Sequence, residues 1–281
     1  MRVGTLVLVI VGLAYAADPT LYQSETARWR TERETRLKAD DGWLTVVGLH
    51  WLNAGANRAG SNPAFEVPLP ASMPANTGTF TLAQGKVHFQ PAAGVALKEM
   101  DLKSDTEPNY DVLTLGRVKL HILQRDDRFA VRVKDNDSGA RKQFTGLKWY
   151  PIDASWKIRA KFVKWDTPHT ITFDTEVGVK EREPSPGYVV FQRGGKEYRL
   201  EPVVDGDSLF FVMKDATSGK TTYGASRFLY TEAPKDGYVE LDFNRAENPP
   251  CVFTDYATCP LPPPQNRLPL AVTAGEMIYR H

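Results

Sequence analysis

The sequence predicts a mainly β protein, built of antiparallel sandwich-like or barrel-like sheets in two halves and preceded by one amphipathic N-terminal helix. Three observations predict it. From Trp43 almost to the end, apolar residues recur at every second position. The strand-like runs are separated at even intervals by Gly, Pro, Asp and Asn turns, and no helical segment stands between them, as a parallel sheet would need. The 281 residues, 42% hydrophobic and 11% aromatic, suffice for one large core or two ordinary ones.

Residues 1–16 read as a secretory signal peptide. Arg2 precedes an apolar run from Val3 to Leu13, and Ala14-Tyr15-Ala16 forms a small-x-small cleavage box before Ala17. The run is shorter than the roughly 20 apolar residues that a membrane-spanning helix needs. No cysteine follows the box, so the expectation is an exported protein, periplasmic or secreted, with no transmembrane anchor after cleavage. Residues 17–42 predict a helix. Thr20 and Gln23 have capping-box spacing after Pro19, while Tyr22, Trp29 and Leu37 recur on one face, and Asp40-Asp41-Gly42 breaks the pattern.

The clearest strands follow. Val118, Leu120 and Ile122, then Phe129, Val131 and Val133, alternate across an Arg125-Asp126-Asp127 turn, a hairpin signature. The other face of this hairpin carries Lys119, His121, Arg128, Arg132 and Lys134. In "SWKIRAKF" Trp156, Ile158, Ala160 and Phe162 alternate with Lys157, Arg159 and Lys161. The two cationic faces would form one basic surface if these strand sets were adjacent, and a solvated face explains each alternation equally well. Further strands are expected near 43–51, 78–90, 110–116, 168–174, 187–193, 196–203, 208–213, 220–230 and 237–243. The polar, turn-rich "NDSGARKQFTG" at 136–146 marks a boundary, giving a β-sandwich over 43–140 and a second β domain over 141–281.

Composition removes several functions. With 35 Lys+Arg against 34 Asp+Glu the formal net charge is +1, so no global field recruits nucleic acid, and no aromatics interleave with the cationic strand faces. The five histidines, His50, His88, His121, His169 and His281, share no zinc-ligand spacing, so no metal is expected. Asp135-Asn136-Asp137-Ser138-Gly139 lacks the downstream Glu of a calcium loop and reads as a turn. There is no Gly-x-Ser-x-Gly elbow and no Gly-rich phosphate or dinucleotide loop, hence no cofactor.

The densest segment is "LDFNRAENPPCVFTDYATCPLPPPQNRLP", residues 241–269. Pro249, Pro250, Pro260, Pro262, Pro263 and Pro264 hold it extended, so it must cross a surface rather than form helix or central strand. Cys251 and Cys259 are the only cysteines. In an oxidising compartment the simplest expectation is a disulfide, which contributes about 2.5 kcal/mol for so short a loop; a reactive thiol is the competing reading. If the strands at 220–230 and 237–243 form a hairpin, Tyr223, Arg227, Asp242, Asn244, Asn248, Asn266 and Arg267 converge on one spot. They are the candidate binding residues for a small polar or anionic ligand or a partner segment. A buried Arg227–Asp242 pair with turn-capping asparagines is the structural alternative. The enzymatic alternative is a hydrolase in which Asp242 or Cys251 acts beside Arg227.

Three segments carry a resemblance: "ARWRTERETRLKADDGWLTVVGLHWL", "DATSGKTTYGASRFLY" at 215–230, and "LDFNRAENPPCVFTDYATCPLPPPQNRLPL". Together the chain resembles the family catalogued as domain of unknown function 1684, over nearly the whole mature chain. Ser226 stands where that family more often shows Gly. The resemblance implies kinship and no activity. The resemblance implies that both cysteines are kept even in members that look cytosolic, which keeps the thiol reading open beside the disulfide. More weakly, "WLNAGANRAGSNPAFEVPLPASMPANTGTFTLAQGKVHF" is similar to the opening of a forkhead-associated sandwich. Ser61 follows Gly60 where that type places its Arg, and "ASMPANTG" replaces its Ser-x-x-His, so phosphopeptide reading is not implied.

Overall fold

The computed structural model describes residues 19–175 and 178–280; residues 1–16, expected to be a signal peptide, lie outside the described residues. Helix α1 runs Pro19–Lys38. The N-terminal half then contributes β1 (Val46–Trp51), β2 (Gly55–Gly60), β3 (Val67–Pro68), β4 (Gly78–Ala83), β5 (Lys86–Pro91), β6 (Met100–Leu102), β7 (Val112–Leu115), β8 (Val118–Arg125) and β9 (Arg128–Asp135). They form two sheets, β1-β9-β8-β7 and β3-β2-β4-β5-β6, antiparallel except for the short β2/β3 pair. One core lies between the sheets, with Phe80, Val87 and Phe89 from one and Leu120, Ile122, Val131 and Val133 from the other.

After the short helix α2 (Gly139–Gln143) come β10 (Lys157–Asp174), β11 (Lys180–Arg193), β12 (Lys196–Leu200), β13 (Val203–Asp205), β14 (Ser208–Met213), β15 (Arg227–Glu232) and β16 (Tyr238–Asp242). These make the sheets β12-β11-β10-β16 and β13-β14-β15, antiparallel throughout. A second core holds Ala160, Val189, Phe191, Leu209, Phe211, Leu229 and Leu241 from both sheets. The other face of β13-β14-β15 is covered as well. Val203, Val212 and Phe228 pack there against Ala257 and Cys259 of the proline-rich strap. Burial on both faces explains why "SLFFVM" reads as an unbroken apolar run rather than an alternation.

Several expectations change in detail. The single run expected at 78–90 is the hairpin β4–β5, turned at Gln84-Gly85 with both residues at positive φ. The runs at 156–162 and 168–174 are one strand of 18 residues. Residues 220–226 form turns rather than strand, and β15 and β16 do not form a hairpin: β15 pairs with β14, β16 with β10. The link 233–237 carries the chain from one sheet of the sandwich to the other, so a short connection does not imply pairing. Ser226 is fully buried and outside the positive-φ residues, so its backbone has no need of glycine.

Helix α1 docks through Tyr22, Thr26, Arg33 and Leu37, a stripe more polar than its aromatics suggested. Tyr22 donates to Asp242 at 2.8 Å, and Arg33 reaches Glu276 at 2.9 Å and Glu247 at 3.1 Å. The helix is therefore pinned to the strap by buried polar bonds, which fix its register more sharply than apolar contact would.

The strap is held by its asparagines. Asn266 is fully buried; its amide accepts from the Glu201 N–H and donates to the carbonyls of Glu201 and Val212. One side chain thus acts as a rung joining the end of β12 to β14. Asn266→Ala leaves those backbone groups without partners, at about 1–3 kcal/mol for each buried group. Asn266→Asp costs more, because a carboxylate then faces two carbonyls. Urea unfolding of both variants checks the order, and equal losses would show that the rung does not carry the effect.

Candidate functional site

The residues expected to converge are instead distributed, and most serve the fold. Arg227, 1% exposed, pairs with Asp215 at 2.8 Å and donates to the carbonyls of Val272 and Ala274. The partner of Arg227 is therefore Asp215, twelve residues away on the turn before β15, and not Asp242. Gly275 permits this approach: at φ +80°, a Cβ there would lie 2.4 Å from the Ala246 carbonyl oxygen and 2.9 Å from Arg227 Nη2. Asp242 accepts from Tyr22 and Asn244 and lies 3.4 Å from Arg245. Asn244 is buried and binds the backbone N–H and carbonyl of Asp153. Asn248 donates to the Met277 carbonyl. Tyr223 packs beside Phe144, Val252 and Phe253, and Arg267 is exposed over a separate shallow cavity of about 340 Å³. The hydrolase constellation of Arg227 with Asp242 or Cys251 is not assembled, since Arg227 is committed elsewhere.

What the strap does build is the wall of a cavity of about 530 Å³ between the two halves. Glu247, Pro250, Thr258, Cys259 and Pro260 come from the strap, Arg125 and Arg132 from the β8–β9 hairpin, and Phe210, Phe228 and Tyr230 from β14 and β15. The cationic face of that hairpin is thus not solvated where it matters: His121 and Arg132, cross-strand neighbours, are both buried. Burial and the neighbouring Arg132 push His121 down to about 3, so it is neutral. Lys157, Arg159 and Lys161 remain exposed on β10, in a different sheet.

Arg132 is the unusual group. It is 6% exposed, and its Nε and Nη2 are buried with no hydrogen-bond partner among the described residues. Its guanidinium lies 5.1 Å from the ring centroid of Trp43. Burial, then the repulsion of Arg125, lowers its pKa to about 10, so it stays charged at neutral pH. The other two cavity arginines are matched: Arg125 by Asp105 at 3.0 Å and Glu181 at 3.1 Å, Arg33 by Glu276 and Glu247. A buried cation whose donors lack acceptors is costly unless something outside the chain supplies them.

Glu247 is the second unusual group. Two carboxylates share the Arg33 guanidinium. Glu276 also accepts the Asn248 N–H and is sealed, while Glu247 lines this cavity and a second one of about 760 Å³ beyond it. Burial raises the Glu247 carboxyl to about 7, against the pull of Arg33. Tyr230, which also lines both cavities, is raised chiefly by burial. The arrangement offers a cation for an anionic group, a carboxyl that changes charge near neutral pH, a phenol and a thiol. Among the described residues no group of three or more His, Cys, Asp or Glu could hold a metal ion, and no helix is long and apolar enough to cross a membrane.

Cys251 and Cys259 are both thiols in this structure. The Cys251 N–H donates to the Cys259 sulfur at 3.2 Å, so the strap brings the two residues together. Sequence reasoning missed Arg132, Glu247, Tyr230 and Arg33. Arg132 looked like one of several cations on a solvated face, and only packing of the second half against that face distinguishes it. Glu247, the only acidic residue between Asn244 and Cys251, was a signal within the strap itself.

Fold and site together define a two-part, mainly β protein with a polar cavity walled by its proline-rich strap. Residues 142–277 match the family described as "Protein of unknown function (DUF1684)", and the C-terminal half of the chain belongs to that family. The motifs at 215–230 and 241–270 fall inside the match; the segment 27–52 precedes it, so the kinship reaches less of the chain than the motifs suggested. A solved structure similar to this chain is the solution NMR structure of an uncharacterized protein of Haloarcula marismortui. It is 30% identical, covering 49% of this chain and 78% of that one, with a TM-score of 0.42. No curated protein matches.

Proposed function

We propose that this is an exported protein that binds a small polar ligand through an anionic group in the cavity between its halves. The single observation that carries the binding reading is Arg132, buried, charged and without acceptors for its Nε and Nη2 among the described residues. Arg forks match carboxylate and phosphate oxygens two at a time. The volume suits a metabolite-sized molecule, and Trp43, Phe210, Phe228 and Tyr230 supply apolar surface around the polar point. The lining also carries Glu183 and Asp205. That composition favours a ligand with one anionic group and a neutral or cationic remainder over a polyanion. Export rests on the charged start, apolar run and cleavage box of residues 1–16.

Native mass spectrometry of the protein purified from its own host tests the reading. The expected result is a carried small molecule that is absent from Arg132→Met; a wild-type protein free of any adduct, or an adduct that Arg132→Met retains, would overturn it. The same variant has a second expected outcome. Without ligand, removing an unmatched buried cation raises stability by about 1–2 kcal/mol in urea unfolding, reduced by the lost contact with Trp43.

A further inference from the structure

We propose that Cys259 is a reactive thiol facing the cavity, and that Cys251 resolves its oxidised form into a reversible Cys251–Cys259 disulfide. Three observations place the chemistry. Cys259, otherwise buried, is one of the residues that line the cavity, which gives a small oxidant an approach to it. Arg132, whose Nε and Nη2 lack acceptors among the described residues, lines the same cavity as Cys259. The Cys251 N–H points at the same sulfur from 3.2 Å, and both cysteines belong to one packed cluster. A nearby cation and an N–H donor each stabilise thiolate over thiol, and thiolate is the nucleophile. Cys251 is half-buried outside the cavity lining, which suits a second thiol that acts after the first.

The oxidant is a peroxide. The Cys259 thiolate attacks one peroxide oxygen, an S–O bond forms as the O–O bond breaks, and the departing hydroxide takes a proton to become water. Sulfur is oxidised to a sulfenic acid while the peroxide is reduced. The Cys251 sulfur then attacks the Cys259 sulfur. The S–S bond forms, the S–O bond breaks, and hydroxide leaves with the Cys251 proton as a second water. A dithiol reductant reverses the reaction by exchange. Closure ties the two ends of the strap segment that walls the cavity, so the redox state and the occupancy of the cavity are linked. The inference shares Arg132 with the ligand reading but needs no ligand, so each can fail alone.

The test uses the mature chain, reduced and free of added anions, treated with one equivalent of hydrogen peroxide and then alkylated under denaturing, non-reducing conditions. The expected product is lighter by two hydrogens, takes up no alkylating agent, and recovers both thiols with dithiothreitol. Dimedone present from the first seconds should label residue 259 and not residue 251, and Cys251→Ser should accumulate that label. Arg132→Met should slow labelling by about tenfold. Two alkylated thiols after peroxide, dimedone on Cys251, or an unchanged rate in Arg132→Met would overturn the proposal. Early labelling in the wild-type chain keeps the test valid if Cys251→Ser fails to fold.

Discussion

Arg33→Met destabilises the protein by about 3–5 kcal/mol at pH 8, because it leaves Glu247 and Glu276 buried with no cation between them. The loss depends on pH in a defined direction. The Glu247 carboxyl is raised in the folded state to about 7 from an ordinary 4.5, so the folded protein holds a proton that the unfolded chain releases. The contribution of this carboxyl to stability is accordingly greatest below about pH 4.5, falls as pH rises toward 7, and then levels off. Without Arg33 both carboxyls move higher still, and the fall continues past pH 7. At pH 5.5 protons stand in for the lost guanidinium, so the variant's deficit is smaller there than at pH 8. Urea titrations of wild type and variant at the two pH values check this; a deficit that does not shrink at acid pH would show that Arg33 matters through packing, not charge.

Arg227→Met produces a second loss of about 3–5 kcal/mol. Asp215 remains buried with its charge, and the carbonyls of Val272 and Ala274 lose their donor. Part of the Asp215 charge is still held by Thr217 and the Val272 N–H, so the chain folds. Arg227→Lys does not restore the wild-type value, since a single ammonium cannot address the carboxylate and two carbonyls in the planar geometry of a guanidinium. Adding Asp215→Asn to Arg227→Met returns part of the stability, because the stranded charge is gone. Double-mutant analysis by denaturant unfolding measures that return; strict additivity would show that the two side chains do not act as a pair.

Much of the fold was legible because the strands alternate. Val118 to Ile122 and Phe129 to Val133 form the expected hairpin, and the apolar runs at 196–203 and 208–213 lie on β12 to β14. Where the reading failed, pairing or burial was decided by partners distant in sequence. The short link 233–237 suggested a hairpin, yet β16 completes the edge of β10. Asp242 and Asn244 were expected to meet Arg227 at one spot, but what lies against them is α1, with Tyr22 bonded to both. The prolines pointed to an extended surface crossing, but Pro250–Val252 and Pro264–Asn266 are 3-10 turns and Val252, Phe253, Pro262 and Pro263 are buried; its asparagines proved to be ties that hold the strap to β12, β14 and the chain end. Arg132 could not be singled out from Arg128 or Lys134 by alternation, since period two assigns a face and says nothing of what covers it.

The central claim is that Arg132 awaits an anionic group in the cavity. Thermal unfolding of the reduced protein in inorganic phosphate, compared with chloride at equal ionic strength, tests it most directly. Phosphate should raise the Tm of the wild-type protein, with a stabilisation approaching about 2.7 kcal/mol at a hundred times the dissociation constant, and should leave Arg132→Met unmoved. A wild-type Tm indifferent to phosphate, or an equal rise in Arg132→Met, would contradict it.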